Sequence, residues 1–595
     1  MTLILNDASD FRREVIEGLV AAYPRYLERV PNASGVVRRG GVPSGQVGIV
    51  IGGGSGHYPL SAGLVGRGFA DGAVLGDVFT SPSAEQIYRV AQATDGGAGT
   101  LLCIGNYTGD VINFGAAESR LRSEGIDCRT VRVTDDIASS APKDASARRG
   151  IAGFFVVTKI AGGAAARGET LVQTERVARK ANDWTRTLGV AFSGCTLPGQ
   201  TRPIFELEEG SMAIGLGIHG EPGIRTVDRM TSKDLASMLV KDVLRERPDG
   251  VSGKAAVLLN GLGAVKYEEL FVLWNDVFRQ LERAGVQVVQ PEVGEFVTSL
   301  DMAGCSLTVS WLDDELEALW VAPAETAAFR RGVLAAPDFT PSGEVPSTSR
   351  SDLDRDEEAT TGRPHLGMAE SSRVVCEVLT RMLAAVTAQE TELGLMDAVA
   401  GDGDHGTGMT RGLRAACRAA VESSGDVGQV LGAAGAAWAD EAGGTSGALW
   451  GLFLQTIGSQ VGQTVPITGQ SIAAAVERGV AEVQRAGNAV VGDKTMVDAQ
   501  VPFATVLHRE LAAGRPFAQA WCAAADAAEE AARATAPLRP RLGRARPLAE
   551  RSIGTPDPGA TSFALCARAA AEVLVENADR CGPAAETHAR GTDEL

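Results

Sequence analysis

Apolar residues follow two different patterns along this chain. In the first half, short apolar runs end in glycine-rich loops and alternate with stretches of helical periodicity. Four such runs are VGIVI (47–51), TLLCIG (100–105), CRTVRV (128–133) and AAVLLN (255–260). Short buried strands that alternate with helices are typical of an α/β domain with a largely parallel sheet. We therefore predict an N-terminal α/β domain over residues 1–335.

The second half has long alanine-rich stretches instead. Three of them are RGLRAACRAAVESS (411–424), SIAAAVERGVAEVQRA (471–486) and FAQAWCAAADAAEEAARATA (517–536). Ala, Glu and Arg favour helix and no convincing strand interrupts them, so this pattern predicts an all-α domain over 367–595. The intervening segment, 336–366, is rich in Pro, Ser, Thr and acids and poor in large apolar residues, which indicates a linker.

Composition narrows the classes of function. The chain has 595 residues, with 74 acidic against 56 basic side chains and a net charge of −18. This balance disfavours binding to nucleic acid or to an anionic membrane. No run approaches the roughly 20 apolar residues that span a bilayer, and the first residues lack the bases of a secretory signal. Because the nine cysteines are scattered without a CxxC pair, we expect reduced thiols in a cytoplasmic protein.

Histidines in glycine-rich loops are the first candidates for chemistry. GGGSGH (52–57) follows the run VGIVI, NYTGD (106–110) follows TLLCIG, and GLGIHGEPG (215–223) again flanks one histidine with glycines. Ligands bind where the carboxyl ends of parallel strands meet, so we expect these loops to open into one crevice. The first loop is neither GxGxxG nor a P-loop, because a histidine replaces the third glycine and no lysine follows.

Clustered carboxylates are the second group of candidates. LMDAVAGDGDHG (395–406) places Asp397, Asp402 and Asp404 close together, where they repel one another unless a cation lies between them. Hard oxygen ligands beside glycines suit Mg²⁺ bridged to phosphates, whereas an EF-hand loop would need Glu where this chain has Leu. The glycines and hydroxyls of GGTSG (443–447) suit phosphate oxygens. A P-loop over 487–495 is rejected, because an aspartate precedes its Lys-Thr pair and the preceding segment is helical.

Together the motifs resemble the dihydroxyacetone kinase family. GGGSGH, GNYTGD, GIHGEPG, NGLG (260–263) and GEFVTSLDMAG (294–304) resemble its substrate domain in this order. GGTSG, GDKTMVD (492–498) and RSIGTPDPG (551–559) resemble its nucleotide domain, an α-helical barrel. The resemblance implies a homodimeric kinase that phosphorylates a short-chain ketose with ATP and Mg²⁺.

The same resemblance assigns roles in the substrate domain. The residue that matches His219 bonds covalently to the keto carbon as a hemiaminal, while His57 and Asp110 move protons at the hydroxyl to be phosphorylated. The expected substrate-binding residues are Gly54, Ser55, Gly56, His57 and Asp110. Covalent capture requires a carbonyl, so polyols are rejected by reactivity rather than by fit. A positioned carboxylate or imidazole makes the alcohol nucleophilic by taking its proton.

In the nucleotide domain the resemblance implies that Asp397, Asp402 and Asp404 bind Mg²⁺. The residues expected around ATP are Asp402, Gly403, Asp404, His405, Thr445, Ser446, Gly487, Thr495, Met496, Arg544, Asp557, Pro558 and Gly559. Substrate and nucleotide bind to different domains, so the domains must close on each other, within one chain or across a dimer.

Three positions depart from the family pattern. Gly105 stands where a lysine often precedes NYTGD, Tyr58 where a glutamate often follows GGGSGH, and His405 where several ATP-dependent members have cysteine. A glycine at 105 makes room for an additional CHOH group, so we favour erythrulose over dihydroxyacetone as the substrate.

Four other functions stay open on the sequence. The chain is alternatively a dihydroxyacetone or glyceraldehyde kinase proper, a non-catalytic ketose sensor, or a flavin nucleotide cyclase. Some relatives hold ADP permanently and take phosphate from a phosphocarrier protein. Here both domains share one chain that has no phosphocarrier-like domain, which favours direct use of ATP.

Overall fold

The structure is a computed structural model that describes residues 4–221, 223–333, 370–401, 403–464, 466–543 and 549–581. Up to residue 333 the chain forms α/β structure, and the described residues from 370 onward form helices. The predicted class, an α/β domain followed by an all-α domain, is confirmed. The predicted linker, 336–366, lies outside the described residues. None of the described helices has both the length and the hydropathy needed to cross a membrane.

The first sheet carries two of the glycine-rich loops. Its strands are β1 (Leu27–Arg29), β2 (Gly35–Arg38), β3 (Gly48–Ser55), β5 (Gly72–Val78), β6 (Thr100–Gly105) and β7 (Cys128–Val133). The helices of this part are α1 (Phe11–Ala22), α2 (Ala84–Ala93), α3 (Thr108–Ser123), α4 (Gly153–Ala166) and α5 (Leu171–Asp183). The order is β1-β2-β5-β3-β6-β7, and β5, β3, β6 and β7 run parallel, as predicted.

The second sheet is mostly antiparallel. Its strands are β8 (Thr185–Ala191), β9 (Ser211–Ile214), β10 (Arg225–Asp228), β11 (Lys254–Gly261), β12 (Gln287–Val288), β13 (Glu292–Gly294) and β14 (Gly304–Trp311). Its helices are α6 (Ser232–Arg245), α7 (Tyr267–Arg283) and α8 (Asp314–Trp320). β14 pairs antiparallel with both β8 and β11, so the expectation of parallel pairing is wrong here. Strands buried on both faces give continuous apolar runs in either direction, so the pattern does not reveal their orientation.

A buried helix joins the two sheets. Every residue of α4 except Ala166 is buried, and Phe155 belongs to one apolar cluster with Ile51 of β3 and Leu258 of β11. Burial of a phenylalanine side chain is worth about 1.5–3 kcal/mol. A small third sheet consists of β4 (Gly66–Arg67), β15 (Ala324–Thr326) and β16 (Arg330–Arg331).

The described C-terminal helices form a closed ring. They are α9 (Glu370–Ala388), α10 (Glu390–Ala398), α11 (His405–Glu422), α12 (Val427–Ala442), α13 (Gly444–Gly462), α14 (Gly469–Gly487), α15 (Val497–Ala512), α16 (Phe517–Ala534) and α17 (Pro558–Cys581). Neighbours pack in the order α9-α11-α12-α13-α14-α15-α16-α17, and α17 returns to α9. The interior contains stacked Trp438 and Trp450, whose ring centres are 4.7 Å apart, and an apolar cavity of about 340 Å³. This arrangement confirms the predicted helical barrel.

Candidate active site

The histidines of two glycine-rich loops meet in the substrate domain. The Nε2 atoms of His57 and His219 are 3.1 Å apart, and His57 Nδ1 lies 2.8 Å from the carbonyl oxygen of Thr298. Because a carbonyl only accepts, these partners assign the proton of His57 to Nδ1 and turn its Nε2 lone pair toward His219. Burial, together with the neighbouring His219, lowers the pKa of His57 to about 3.

A carboxylate holds the other side of the second histidine. Glu221 Oε1 lies 3.1 Å from His219 Nδ1, and Arg149 approaches Glu221 Oε2 to 3.6 Å. Burial alone would raise the pKa of Glu221, but His219 and Arg149 hold it well below its usual range. Arg149 is itself held by Asp136 at 2.8 Å. No role was predicted for Glu221 from the sequence pattern, although it lies two residues after the histidine in GIHGEPG.

Aromatic rings enclose the histidine pair. The ring of Phe79 stacks on His57 with centres 4.9 Å apart, and Tyr107 meets the His219 ring edge-on at 4.7 Å. The Tyr107 hydroxyl donates to the Gly150 carbonyl at 3.1 Å, and burial raises the Tyr107 pKa well above its usual value.

This ring changes the interpretation of Gly105. A Cβ at that position would lie 2.8 Å from Tyr107 Cδ2. The space that we assigned to an additional CHOH group of the substrate is therefore occupied by the Tyr107 side chain. Tyr58, another of the three departures from the family pattern, is half-exposed and packs against Gly63.

The loop after β3 brings bare backbone to the same place. A Cβ at Gly54 would lie 2.6 Å from the backbone of Phe79, and Gly56 has a φ of +97°, which other residues rarely adopt. The Ser55 hydroxyl is buried and has no hydrogen-bond partner among the described residues. Asp110, buried in the first turn of α3, directs Oδ2 to 3.7 Å from where a Gly53 Cβ would stand. The glycine-rich end of β3 therefore lies against the turn of α3 that carries Asp110, and the binding roles of these five residues stay a prediction.

A second cavity, of about 210 Å³, lies at one end of the helical barrel. The predicted residues that line it are Asp397, Thr445, Gly487, Thr495, Met496, Asp557 and Pro558. Gly403, Asp404, His405, Ser446 and Gly559 are described but do not line it. Asp402 and Arg544 lie outside the described residues.

Residues beside the cavity make hydrogen bonds to two of the carboxylates that line it. The Gly403 N–H donates to Asp397 Oδ2 at 2.8 Å, and His405 Nε2 lies 2.9 Å from the Ser562 hydroxyl. Burial raises the pKa of Asp557 to about 7, and its Oδ1 accepts from the Ala560 N–H at 2.7 Å. Among the described residues no three His, Cys, Asp or Glu side chains form a metal-binding group.

Lys494 is a residue whose role the sequence did not reveal. It has a φ of +61°, and its ammonium group donates to the carbonyls of Ser552 at 2.7 Å and Leu538 at 3.1 Å. The side chain of Asp498 accepts from the N–H groups of Gly492 at 2.6 Å and Thr495 at 2.8 Å. The lysine therefore links two loops of the cavity wall through hydrogen bonds, instead of facing a ligand as a P-loop lysine would.

The two sites adjoin where the domains touch. Thr108, at the start of α3, lines the barrel cavity, and a Cβ at Gly109 would lie 3.3 Å from Thr445 Oγ1. Asp110 is the next residue along the chain. A phosphate-sized group beside Thr445 is thus adjacent to the turn that carries Asp110.

A further cavity, of about 230 Å³, also spans the boundary between the domains. On the substrate side it is lined by His219 and Glu221, and on the nucleotide side by Ala400, Gly401 and Arg551. The space beside His219 is thus bounded on one side by residues of the helical domain.

Comparisons with known proteins agree with this two-part site. Residues 17–328 match the Dak1 domain, and residues 399–572 match the DAK2 domain. The chain belongs to the dihydroxyacetone kinase family. Both matched ranges lie inside the predicted domains 1–335 and 367–595, whose exact boundaries stay a prediction.

Full-length relatives are also similar. A D-erythrulose kinase of Mycolicibacterium smegmatis is 52% identical over 96% of this chain and 99% of its own length. An L-erythrulose 1-kinase of the same organism is 50% identical over 96% of this chain and 100% of its own length. The crystal structure of the dihydroxyacetone kinase from C. freundii in complex with AMP-PNP and Mg²⁺ is 30% identical, with a TM-score of 0.52 over 96% of this chain and 99% of that chain.

Proposed function

We propose that this chain is an ATP-dependent kinase that phosphorylates a terminal hydroxyl of a short-chain ketose, preferably erythrulose. The observation that carries this proposal is the pair of facing imidazoles beside a carboxylate-bearing turn, with Thr445 of the nucleotide domain against that turn. A keto group and a hydroxyl on one small molecule fit these two features, and the similarity to two full-length erythrulose kinases supports a four-carbon substrate.

The ketose is captured by His219. Its Nδ1 faces the Glu221 carboxylate and its Nε2 faces the lone pair of His57 Nε2. Both partners accept, so His219 donates one hydrogen bond from each ring nitrogen. When the ketose enters, the proton on Nε2 passes through His57 to the keto oxygen. The freed Nε2 lone pair then forms the C–N bond, and the carbonyl π electrons go to the oxygen. The hemiaminal hydroxyl forms, and the positive charge stays on the alkylated ring beside Glu221.

The phosphoryl group then moves to the other end of the captured sugar. Asp110 takes the proton of the terminal hydroxyl, whose oxygen attacks the γ-phosphorus while the bond to the ADP oxygen breaks. Thr445 holds the phosphate beside the turn that carries Asp110. Asp397 and Asp404 offer the carboxylate oxygens that Mg²⁺ prefers, and they would hold it together with Asp402. The metal ion would neutralise charge on the triphosphate.

Steady-state kinetics with D-erythrulose, L-erythrulose and dihydroxyacetone, each with ATP and Mg²⁺, test the proposal. We expect a higher kcat/KM for one erythrulose enantiomer than for dihydroxyacetone, and no turnover by His219→Ala. A higher kcat/KM for dihydroxyacetone would contradict the erythrulose preference. Turnover that needs a phosphocarrier protein would contradict direct use of ATP, and binding of ketose without any phosphorylation would favour a sensor.

The proposal extends to assembly and location. We infer a homodimer from the family resemblance, and sedimentation equilibrium tests it against a monomer. We also infer a cytoplasmic location, supported by the eight described cysteines, all of which are free thiols.

A further inference from the structure

One segment of the substrate domain contacts both ligand sites. Residues 77–86, here named the bridging segment, connect the end of β5 to α2. Toward the ketose, the Phe79 ring lies 4.9 Å from the His57 ring and 5.1 Å from the His219 ring. Toward the nucleotide, the Thr80 hydroxyl donates to Asp404 Oδ2 at 3.3 Å. The placement of this segment therefore affects both the histidine pair and a candidate metal ligand.

The bridging segment also meets the backbone of the GGTSG motif. The Gly444 N–H donates to the Ser81 carbonyl oxygen at 3.1 Å, and Thr445, the next residue, lines the nucleotide cavity. The side chains of Thr80, Ser81 and Ser83 are buried. A shift of the segment relative to the barrel would therefore change the distance between Thr445 and the turn that carries Asp110.

Asp440 is the first of two nucleotide-domain side chains that hold the bridging segment from outside both cavities. One oxygen of this residue, near the end of α12, accepts from the Ser83 hydroxyl and from Gln86 Nε2, the latter at 3.0 Å. Ser83 is the N-cap of α2. The carboxylate thus lies at a helix N-terminus, where the helix dipole favours a negative charge.

Arg411, on α11, is the second nucleotide-domain side chain that holds the bridging segment. Its guanidinium pairs with Asp77 at the start of the bridging segment and also donates to the Ala442 carbonyl at 3.2 Å. Asp77 is held within its own domain by Arg12 at 3.4 Å. Neither Asp440 nor Arg411 is among the residues that line the nucleotide cavity or the cavity beside His219.

We propose that Asp440 and Arg411 are positioning residues for phosphoryl transfer: they hold the bridging segment so that the captured ketose and the nucleotide approach each other in line. This inference rests on the proposed kinase function. Most residues around each ligand site come from one domain, although Thr108 also lines the nucleotide cavity and Arg551 the cavity beside His219, whereas the reaction needs both domains in one relative position. We therefore expect Asp440 and Arg411 to affect kcat, and not to affect the dissociation constant of either ligand when that ligand is bound by itself.

Asp440→Ala tests the proposal, with Glu441→Ala as its matched control. Glu441 is the next residue of α12, and it is exposed. Because small displacements of reacting groups cost up to about 100-fold in rate, we expect Asp440→Ala to lower kcat by about 10- to 100-fold. The dissociation constants of ketose and of AMP-PNP with Mg²⁺, measured by calorimetry, stay unchanged. Asp440→Asn keeps an acceptor oxygen and recovers part of kcat, and Glu441→Ala behaves as the wild type.

Two further substitutions, at Gln86 and Arg411, remove contacts between the bridging segment and the helical domain. Gln86→Met removes one hydrogen bond to Asp440, together with the one that Gln86 accepts from the Ser34 N–H, without changing the helical domain, and it serves if Asp440→Ala does not fold. Arg411→Met removes the ion pair to Asp77, and Arg414→Met, at an exposed position of the same helix, is its control. Each contact-removing variant is expected to lower kcat, and each control to leave it unchanged.

A second readout does not depend on turnover. With ketose, AMP-PNP and Mg²⁺ present, small-angle X-ray scattering is expected to give a smaller radius of gyration for the wild type than for Asp440→Ala. An unchanged kcat in Asp440→Ala and Gln86→Met, or equal losses in their controls, would overturn the proposal. Weaker binding of either ligand alone would overturn it as well. If the wild type phosphorylates no ketose, the proposed function fails, and the scattering comparison still decides whether these contacts hold the domains together.

Discussion

His57 and His219 share a hydrogen bond, but each ring has a different outer partner. A backbone carbonyl faces His57, while an ionised carboxylate faces His219. Because of this difference His57 stays neutral, and His219 has a counter-ion for the positive charge that remains on its ring after covalent capture. The roles of the two histidines therefore follow from Thr298 and Glu221 rather than from the rings themselves.

Glu221→Gln tests the carboxylate. The variant keeps a side chain of the same length but loses the charge beside His219. Hydrogen bonds to charged groups contribute about 1.5–3 kcal/mol, so we expect ketose affinity to fall by about 10- to 100-fold. Calorimetry with ketose and separately with AMP-PNP measures this, and the nucleotide affinity is expected to be unchanged. Glu206→Gln, at an exposed position of the same cavity, is the control. Unaltered ketose binding by Glu221→Gln would contradict the account.

Gly105→Ala tests the place of Tyr107. The added Cβ would stand 2.8 Å from the tyrosine ring, so the ring must move away from His219. We expect weaker ketose capture, about 10-fold, as for the loss of an aromatic contact of 0.5–1.5 kcal/mol. Tyr107→Phe keeps the ring and loses only the hydrogen bond to Gly150, so it is expected to bind better than Gly105→Ala. Gly115→Ala, where a Cβ meets nothing within 4 Å, serves as the control. A gain in ketose affinity for Gly105→Ala would refute this role.

The pH dependence of stability tests the burial of His57. Its pKa is near 3 in the folded protein and about 6.5 when unfolded, so the unfolded state binds the additional proton between these values. The free energy of unfolding therefore falls as the pH drops below 6.5. His57 accounts for about 2 kcal/mol of that loss between pH 7 and pH 5. Urea unfolding at both pH values is expected to show a smaller loss for His57→Gln than for the wild type. Equal losses would show that His57 is accessible to protons in the fold.

The sequence revealed the candidate groups of this site but not their partners. His57, Asp110 and His219 stand out because glycines and hydroxyls surround them in the chain. The carbonyl that orients His57 belongs to Thr298, 241 residues further along, and nothing in the local pattern indicates that contact. The effect of having glycine at position 105 was likewise not predictable, because it depends on how the Tyr107 ring lies over the end of β6.

The same holds for the secondary-structure elements: features that depend on the local sequence were predictable, and features that depend on distant contacts were not. Helical propensity and apolar periodicity predicted the all-α second half, and the glycine-rich ends of β3 and β6 predicted that these two loops lie side by side. The direction of β14 between β8 and β11 was not predictable, because buried strands have the same apolar pattern in both orientations. The role of the loop around Lys494 was not predictable for another reason. This loop is stabilised by backbone carbonyls of a segment that folds around the lysine side chain.

Lys494→Met tests this loop. The substitution leaves the carbonyls of Ser552 and Leu538 without their shared donor, which costs about 2 kcal/mol or more in the free energy of unfolding. Because both loops line the nucleotide cavity, ATP affinity is expected to fall as well, while ketose affinity is unchanged. Denaturant unfolding and calorimetry measure the two effects. Arg485→Met, at an exposed position on α14, is expected to change neither. A stable Lys494→Met variant with normal ATP affinity would contradict the structural role.

At the scale of the whole molecule, the reaction depends on two domains that the chain joins through residues outside the described structure. The composition of 336–366 predicted where one domain ends and the next begins. It did not predict that the bridging segment would lie against α12 and α11, because such contacts depend on the folded surfaces of both domains. Most of the ketose pocket and most of the nucleotide cavity are built within one domain each, but each is completed by residues of the other domain at their boundary.

A covalent bond between His219 and the ketose can be detected as such by ¹³C NMR. Erythrulose labelled at its keto carbon is added to the wild type and to His219→Ala. We expect the wild type to move the labelled resonance from the carbonyl region to that of a saturated carbon bearing oxygen and nitrogen, and the variant to leave it in place. A wild-type spectrum that contains only free or hydrated ketose at saturating protein, or the same adduct in His219→Ala, would contradict the account.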